Sequence, residues 1–210
     1  VYALYTMQQQ NYPVVCAITI ESKNSDSYMF HTPNTHVTQL QANSLHIPLI
    51  TQVTEGEKEI ELADLQAAIT QAKEEYHIDG IITGALYSTY QRERIEKIAE
   101  TLGIQVFSPL WHIDQAKEMR ELIQKGFEVI LTAVGADGLN QTWLNRILTQ
   151  SDVDALEQLN KRIGLNIAGE GGEFESLVLN GPNFSQKIVI DEAQIRKENE
   201  CLKTTGKPQG

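Results

Sequence analysis

A parallel α/β sheet followed by a smaller α+β unit is the fold class this sequence predicts. Three observations carry it. In the first half, short apolar runs rich in Val and Ile alternate with segments whose apolar residues recur at steps of three and four. The helix-like segments are long enough to cross over between parallel neighbours, which implies a sheet covered on both sides. Past residue 113 the alternation gives way to strand-like runs around a stretch crowded with glycine and glutamate.

The chain opens inside a helix-like stretch, "YALYTMQQQ". "PVVCAITI" (13–20) is a buried-strand candidate, "HVTQLQANSLH" (36–46) a helix through Val37, Leu40 and Leu45, and "IPLITQV" (47–53) a strand. Residues 60–76 set Leu62, Leu65, Ile69 and Ala72 on one helical face. "DGIITGAL" (79–86) reads as a strand. Ile95, Ile98, Ala99 and Leu102 then mark a helix that Gly103 stops, and "IQVFSPLW" (104–111) is a further strand. A helix at 114–125 (Ala116, Met119, Leu122, Ile123) leads into "FEVILTAVGADGLN" (127–140). Another helix at 152–163 carries Val153, Leu156, Leu159 and Ile163, with Asp152 placed to favour its dipole. "SLVLNGPNF" (176–184) and "QKIVIDEAQI" (186–195) complete the smaller unit. The expected division is a first domain at 1–112, a second at 113–195, and a frayed polar tail at 196–210.

Size and charge narrow the possibilities. The 210 residues suffice for one large or two small domains. No apolar run is long enough to span a bilayer and no signal peptide is visible, so a cytoplasmic protein without a membrane partner is expected. Cys16 and Cys201 lie far apart and form neither a disulfide framework nor a metal spacing. A net charge of −11 repels phosphate-rich polymers and counts against nucleic acid as a partner.

In parallel α/β sheets ligands bind beyond the carboxyl ends of the strands, and three polar stretches fall there. "GALYSTYQRER" (84–94) begins with Gly84 and offers Ser88, Gln91 and Arg92 at a helix start, where free N–H groups and a guanidinium suit an anion. The alternative is an ordinary N-capped helix whose arginines pair with Glu93, Glu96 or the sheet edge. "SYMFHTPN" (27–34) could form a loop over a nucleotide, with His31 donating a hydrogen bond to phosphate or serving as an acid–base group, or else a turn set by Pro33 and Asn34. "PLWH" places Trp111 where the chain passes between its halves, either to stack on a base or cation or to act as a hydrophobic joint.

"GEGGEFES" (169–176) combines backbone freedom with acidity. Strand alternation about Phe174 turns Glu173 and Glu175 to one side together, with Glu170 nearby. Like charges side by side destabilise a sheet unless something compensates them. An ammonium, a quaternary amine or a metal ion would do so; exposed acids on a glycine turn are the plain alternative.

These stretches, in this order and at these separations, resemble the diphthine–ammonia ligase family of N-type ATP pyrophosphatases, from about Tyr2 to Phe184. The resemblance implies a HUP-type nucleotide-binding domain followed by a small substrate domain. It implies that ATP, with Mg²⁺, adenylates a carboxylate, and that ammonia displaces AMP to leave an amide. In eukaryotic and archaeal members that carboxylate belongs to diphthine, a modified histidine of elongation factor two with a trimethylammonium group. Carried onto this chain, the nucleotide side is expected at His31, Gly84, Ser88, Gln91 and Arg92. The acceptor and ammonium side is expected at Trp111, Glu170, Gly171, Gly172, Glu173, Glu175 and Ser176, with Glu173 and Glu175 as catalytic residues. No general base and no protein-held metal site is assigned. Ser176 stands where the family often has threonine and keeps the hydroxyl. The family's Ser-Gly-Gly-Lys-Asp-Ser pyrophosphate loop and first strand are expected ahead of Val1, with "YALYTMQQQ" as the helix that follows them. A tRNA-modifying ATP pyrophosphatase and a non-catalytic adenine-nucleotide sensor are the competing readings.

Overall fold

The computed structural model describes residues 1–23, 35–57, 60–198 and 201–209. It divides into two units, Val1–Trp111 and His112–Gly210. "SYMFHTPN", and with it His31, lies outside the described residues.

The first unit is built as its alternating pattern dictates. Helix α1 (Tyr2–Gln9) precedes β1 (Ala17–Ser22), α2 (Thr35–Ser44), β2 (Leu49–Thr54), α3 (Ile60–Tyr76), β3 (Gly80–Ile82), α4 (Thr89–Leu102) and β4 (Gln105–Phe107). β1 pairs β2 in parallel from Ala17 opposite Leu49, and β3 pairs β4 in parallel from Gly80 opposite Gln105. Helix α3 supplies the centre of the core: Ala68, Ile69 and Ala72 are wholly buried and cluster with Ile20, Ile50, Ile98, Ala99 and Ile104. The small alanines let strand and helix approach closely, and the isoleucines fill the space between. One such site, Ile69, contributes about 2–5 kcal/mol relative to alanine.

Two strands are shorter than the apolar runs suggest. The runs 79–86 and 104–111 contain ladders only at Gly80–Ile82 and Gln105–Phe107. The residues beyond are apolar for another reason: Ala85, Leu86 and Leu110 are buried in the connections. Apolarity alone does not separate a strand from a buried loop.

The second unit holds α5 (Gln115–Gln124), β5 (Glu128–Val134), a short 3₁₀ turn (Gln141–Trp143), α6 (Gln150–Ile163), β6 (Phe174–Asn180), β7 (Val189–Glu198) and β8 (Cys201–Gln209). Its strands form an antiparallel sheet in the order β6-β5-β8-β7. Asp114 caps α5 by accepting from the Lys117 N–H at 2.8 Å. Helix α6 starts ahead of the expected Asp152, because Thr149 and Asp152 form a capping box there. Arg120 on α5 reaches Asp154 at 2.6 Å and Glu157 at 3.1 Å on α6.

The stretch expected to fray from residue 196 does the opposite. β7 continues to Glu198, and β8 returns between β7 and β5, with Lys203 opposite Ala133 and Leu202 opposite Val134. An antiparallel strand with one solvated face gains its place from backbone hydrogen bonds, so a polar sequence such as "CLKTTGKPQ" can form one without an apolar run.

Candidate functional site

In the first unit the described ones among the expected nucleotide residues, Gly84, Ser88, Gln91 and Arg92, follow the end of β3. Past the ladder, the Thr83 N–H donates to the Phe107 carbonyl at 2.9 Å, and the Thr83 and Ser108 hydroxyls approach to 3.5 Å. The two strand exits are thus held side by side. Gly84 is exposed at this point, and a Cβ there would meet nothing within 4 Å. The space over its backbone is open to another molecule. Ser88 is the N-cap of α4: its hydroxyl accepts from the Gln91 N–H at 3.4 Å. Helix α4 is 14 residues long, and its positive end begins at Ser88, four residues after Gly84 in the chain.

Arg92 lies one turn in. Its Nε donates to Glu96 at 2.6 Å, and its guanidinium sits 4.7 Å from the centroid of the Trp111 ring. Both readings of these residues are therefore visible. Glu96 is the intrahelical partner that the plain reading names, while Trp111 stacks on a cation supplied by its own chain. Arg94 turns back over Tyr90, 3.3 Å from the ring centroid.

In the second unit the stretch 166–173 folds into a loop tied by side chains. Gly169 and Gly172 hold φ of 77° and 84°, the left-handed region that disfavours other residues. Asn166 Oδ1 accepts from the Ala168 and Glu170 N–H groups at 3.1 and 3.2 Å. Glu173 closes the loop from the other end: Oε1 accepts from the Asn166 N–H at 3.0 Å and Oε2 from the Gly171 N–H at 2.9 Å. A Cβ on Gly171 would lie 2.7 Å from that carboxylate. The absence of a side chain at 171 is what lets the carboxylate reach the backbone.

This corrects one geometric expectation. Glu173 precedes β6 rather than lying in it, and its carboxylate is folded onto the loop, so strand alternation does not carry it alongside Glu175. Glu175, Ser176 and Glu170 are exposed. Phe174 is buried beneath Gly169, where a Cβ would come within 2.7 Å of its ring.

Sequence reasoning missed Glu118 on α5. It is 8 % exposed, and no hydrogen bond reaches its Oε2 among the described residues. Burial first, and then the charge of Glu170, push its carboxyl up to about 7. The signal was present, since Glu118 is four residues before buried Leu122 and sits on the apolar face of the helix. Two cations of this unit serve other carboxylates. Arg146 pairs with Asp152 at 2.7 Å, where this bond and Thr149 outweigh burial and hold Asp152 below its ordinary range. Lys187 and Asn180 hold Glu128 low in the same way.

The fold defines a two-unit α/β protein: a parallel unit of the nucleotide-binding kind, then an antiparallel unit carrying an acidic glycine loop. The chain belongs to the diphthamide synthase family. The family's N-terminal domain matches residues 1–106 and its C-terminal domain residues 114–204. Among similar proteins, the diphthine–ammonia ligase of Danio rerio is 36% identical over 182 residues, covering 81% of this chain and 71% of its own length. The Rattus norvegicus protein of the same name is 33% identical over 187 residues, covering 83% and 70%. That of Homo sapiens is 31% identical over 188 residues, covering 84% and 70%.

Proposed function

We propose that this chain is an ATP-dependent ligase that converts the carboxylate of diphthine into an amide with ammonia. One observation carries the reading: both family domains match in order, and the gap between them, 107–113, contains the break between the two units at Trp111 and His112. The relatives to which the chain is similar carry the name diphthine–ammonia ligase.

A carboxylate is a poor acyl donor, because its leaving group would be oxide. In the proposed route a carboxylate oxygen attacks the α-phosphorus of ATP, and the bond to pyrophosphate breaks. The ammonia nitrogen then attacks the acyl carbon, the bond to AMP breaks, and the nitrogen gives up one proton to solvent. The enzyme's part is to orient both partners, stabilise phosphate charge and exclude water from the mixed anhydride.

On the nucleotide side we place Gly84, Ser88, Gln91 and Arg92, with His31 assigned from the sequence alone. The open backbone at Gly84 and the first turn of α4 suit phosphate oxygens. Arg92 would exchange Glu96 for phosphate. Trp111 holds that guanidinium in place meanwhile. On the acceptor side we place Glu170, Gly171, Gly172, Glu173, Glu175 and Ser176. Glu173 sets the loop through its two backbone contacts, and Glu175 presents a free-facing carboxylate to the cationic acceptor. Mg²⁺ would meet phosphate oxygens, its usual partners; the described residues offer no group of three or more His, Cys, Asp or Glu to cage it, and no step is routed through it. No described helix is long and apolar enough to cross a membrane.

The test uses the full chain with ATP, Mg²⁺ and diphthine-bearing elongation factor two. Pyrophosphate and AMP released together, only when ammonium is added, support the ligase. Release that requires RNA points to the tRNA enzyme, and tight ATP binding without turnover points to the sensor; either outcome removes the proposal.

A further inference from the structure

The second unit contains a buried acid that neither half of the proposed machinery uses. Glu118 is more than nine-tenths buried, with Oε2 lacking any hydrogen-bond partner among the described residues. It stands one turn along α5 from Gln115, whose side-chain oxygen accepts from the Ile167 N–H at 2.9 Å. That contact lays this face of α5 against the start of the glycine loop. The charged group acting on Glu118 from the loop is Glu170. Four of the loop's N–H groups are already committed: Asn166 takes those of Ala168 and Glu170, and Glu173 takes those of Asn166 and Gly171.

A buried acceptor without a donor is costly, and the charge of Glu170 raises the cost. Below neutrality a proton relieves both; above it, a small cation that brings its own N–H groups does so. A quaternary amine has none. A divalent metal wants more oxygen ligands than two carboxylates supply, and the described residues hold no cluster of three metal-ligating side chains. We propose that Glu118 and Glu170 form an ammonium-binding site at the mouth of the glycine loop. As the port for the amine donor it rests on the ligase reading; as a cation site it rests on the burial of Glu118, its unpartnered Oε2, the packing of α5 on the loop through Gln115 and Ile167, and the charge of Glu170. With Glu118 titrating at about 7, occupancy grows as pH rises through neutrality and the carboxylate becomes available.

The experiment is thermal unfolding of the full chain at about pH 8, in ammonium, sodium and tetramethylammonium chlorides at equal ionic strength. Ammonium is expected to raise Tm by about 2–4 °C beyond the other two salts. Glu118→Gln and Glu170→Gln should abolish that increment. Glu118→Leu, which removes the buried charge altogether, covers the case in which Glu118→Gln does not fold. Equal shifts in all three salts, or an ammonium increment that survives in the Glu118 variants, overturn the site. Turnover separates the two ideas. In Glu118→Gln the KM for ammonium should rise about tenfold with KM for ATP unchanged. Turnover with an unaltered ammonium KM overturns the site and leaves the ligase reading standing. An ammonium-specific Tm shift without turnover keeps the site and removes the ligase reading.

Discussion

The guanidinium of Arg92 lies 4.7 Å from the centre of the Trp111 indole, while its Nε holds Glu96 at 2.6 Å. The arrangement keeps a cation extended beside the first turn of α4 without burying it. Its own stability value is small: an exposed cation–π contact is worth about 0.5–1 kcal/mol and an exposed i,i+4 pair about 0.3–0.5 kcal/mol. Arg92→Ala should therefore lower Tm by only a few degrees, yet weaken ATP binding about tenfold or more by calorimetry. An unchanged ATP dissociation constant would return Arg92 to a purely structural role.

Glu173 makes a different kind of contribution. Its carboxylate satisfies two backbone N–H groups, and charge-assisted bonds of this kind are the stronger sort. Glu173→Ala should destabilise the second unit by about 1–3 kcal/mol and abolish amide formation while ATP affinity, measured on the same sample, is retained. Loss of ATP binding to the same degree would refute the acceptor-side placement.

Three glycines should respond in three ways. Gly169→Ala forces a side chain into the left-handed region and within 2.7 Å of the Phe174 ring, so a loss of about 2–4 kcal/mol is expected from denaturant unfolding. Gly171→Ala meets the Glu173 carboxylate at 2.7 Å and should reproduce part of the Glu173→Ala phenotype. Gly84→Ala meets nothing and should leave stability alone while weakening ATP binding. If Gly84→Ala binds ATP normally, the backbone there is not approached by nucleotide.

The titration of Glu118 predicts a pH dependence with a definite sign. Its folded carboxyl sits at about 7, above the ordinary 4.5, so between those values the folded state holds a proton that the unfolded state has lost. Stability then falls as pH rises from about 4.5 to about 7, by roughly 3 kcal/mol at most, and levels off above. Glu118→Gln should flatten that decline in urea unfolding followed across the same range. An identical slope in the variant would assign the effect to another group.

The C-terminal strand can be tested by deletion. Removing 201–209 takes away the partner of β7 along its length and exposes the β5 edge at Ala133 and Val134. Circular dichroism and limited proteolysis should show the second unit loosened, with the first still folded. A truncated chain as resistant as the full one would mean that β8 contributes nothing to the sheet.

How much of this was legible varies by residue. Helix α3 was readable to its ends, because Leu65, Ile69 and Ala72 all face one core and their spacing records that fact. Ser88 and Gly103 were readable as the start and stop of α4, since capping is local chemistry. β8 was not, because its own side chains carry little apolar signal and its place rests on backbone pairing, along its length with β7 and at two positions with β5 nearly seventy residues earlier in the chain. The role of Glu173 was half legible: an acid beside glycines was evident, but its two backbone donors come from positions 166 and 171 only after the loop has closed.

The sequence by itself determined the alternating α/β unit, the change of pattern near residue 113, and a candidate list rich in hydroxyls, arginines and glutamates. Period and capping are local properties that short stretches express alone. Only tertiary structure decided which acids are spent on backbone N–H groups, which is left buried without a donor, and which arginine is stacked rather than free to swing. Those outcomes depend on what the folded chain brings opposite each side chain, and no single stretch contains its own environment.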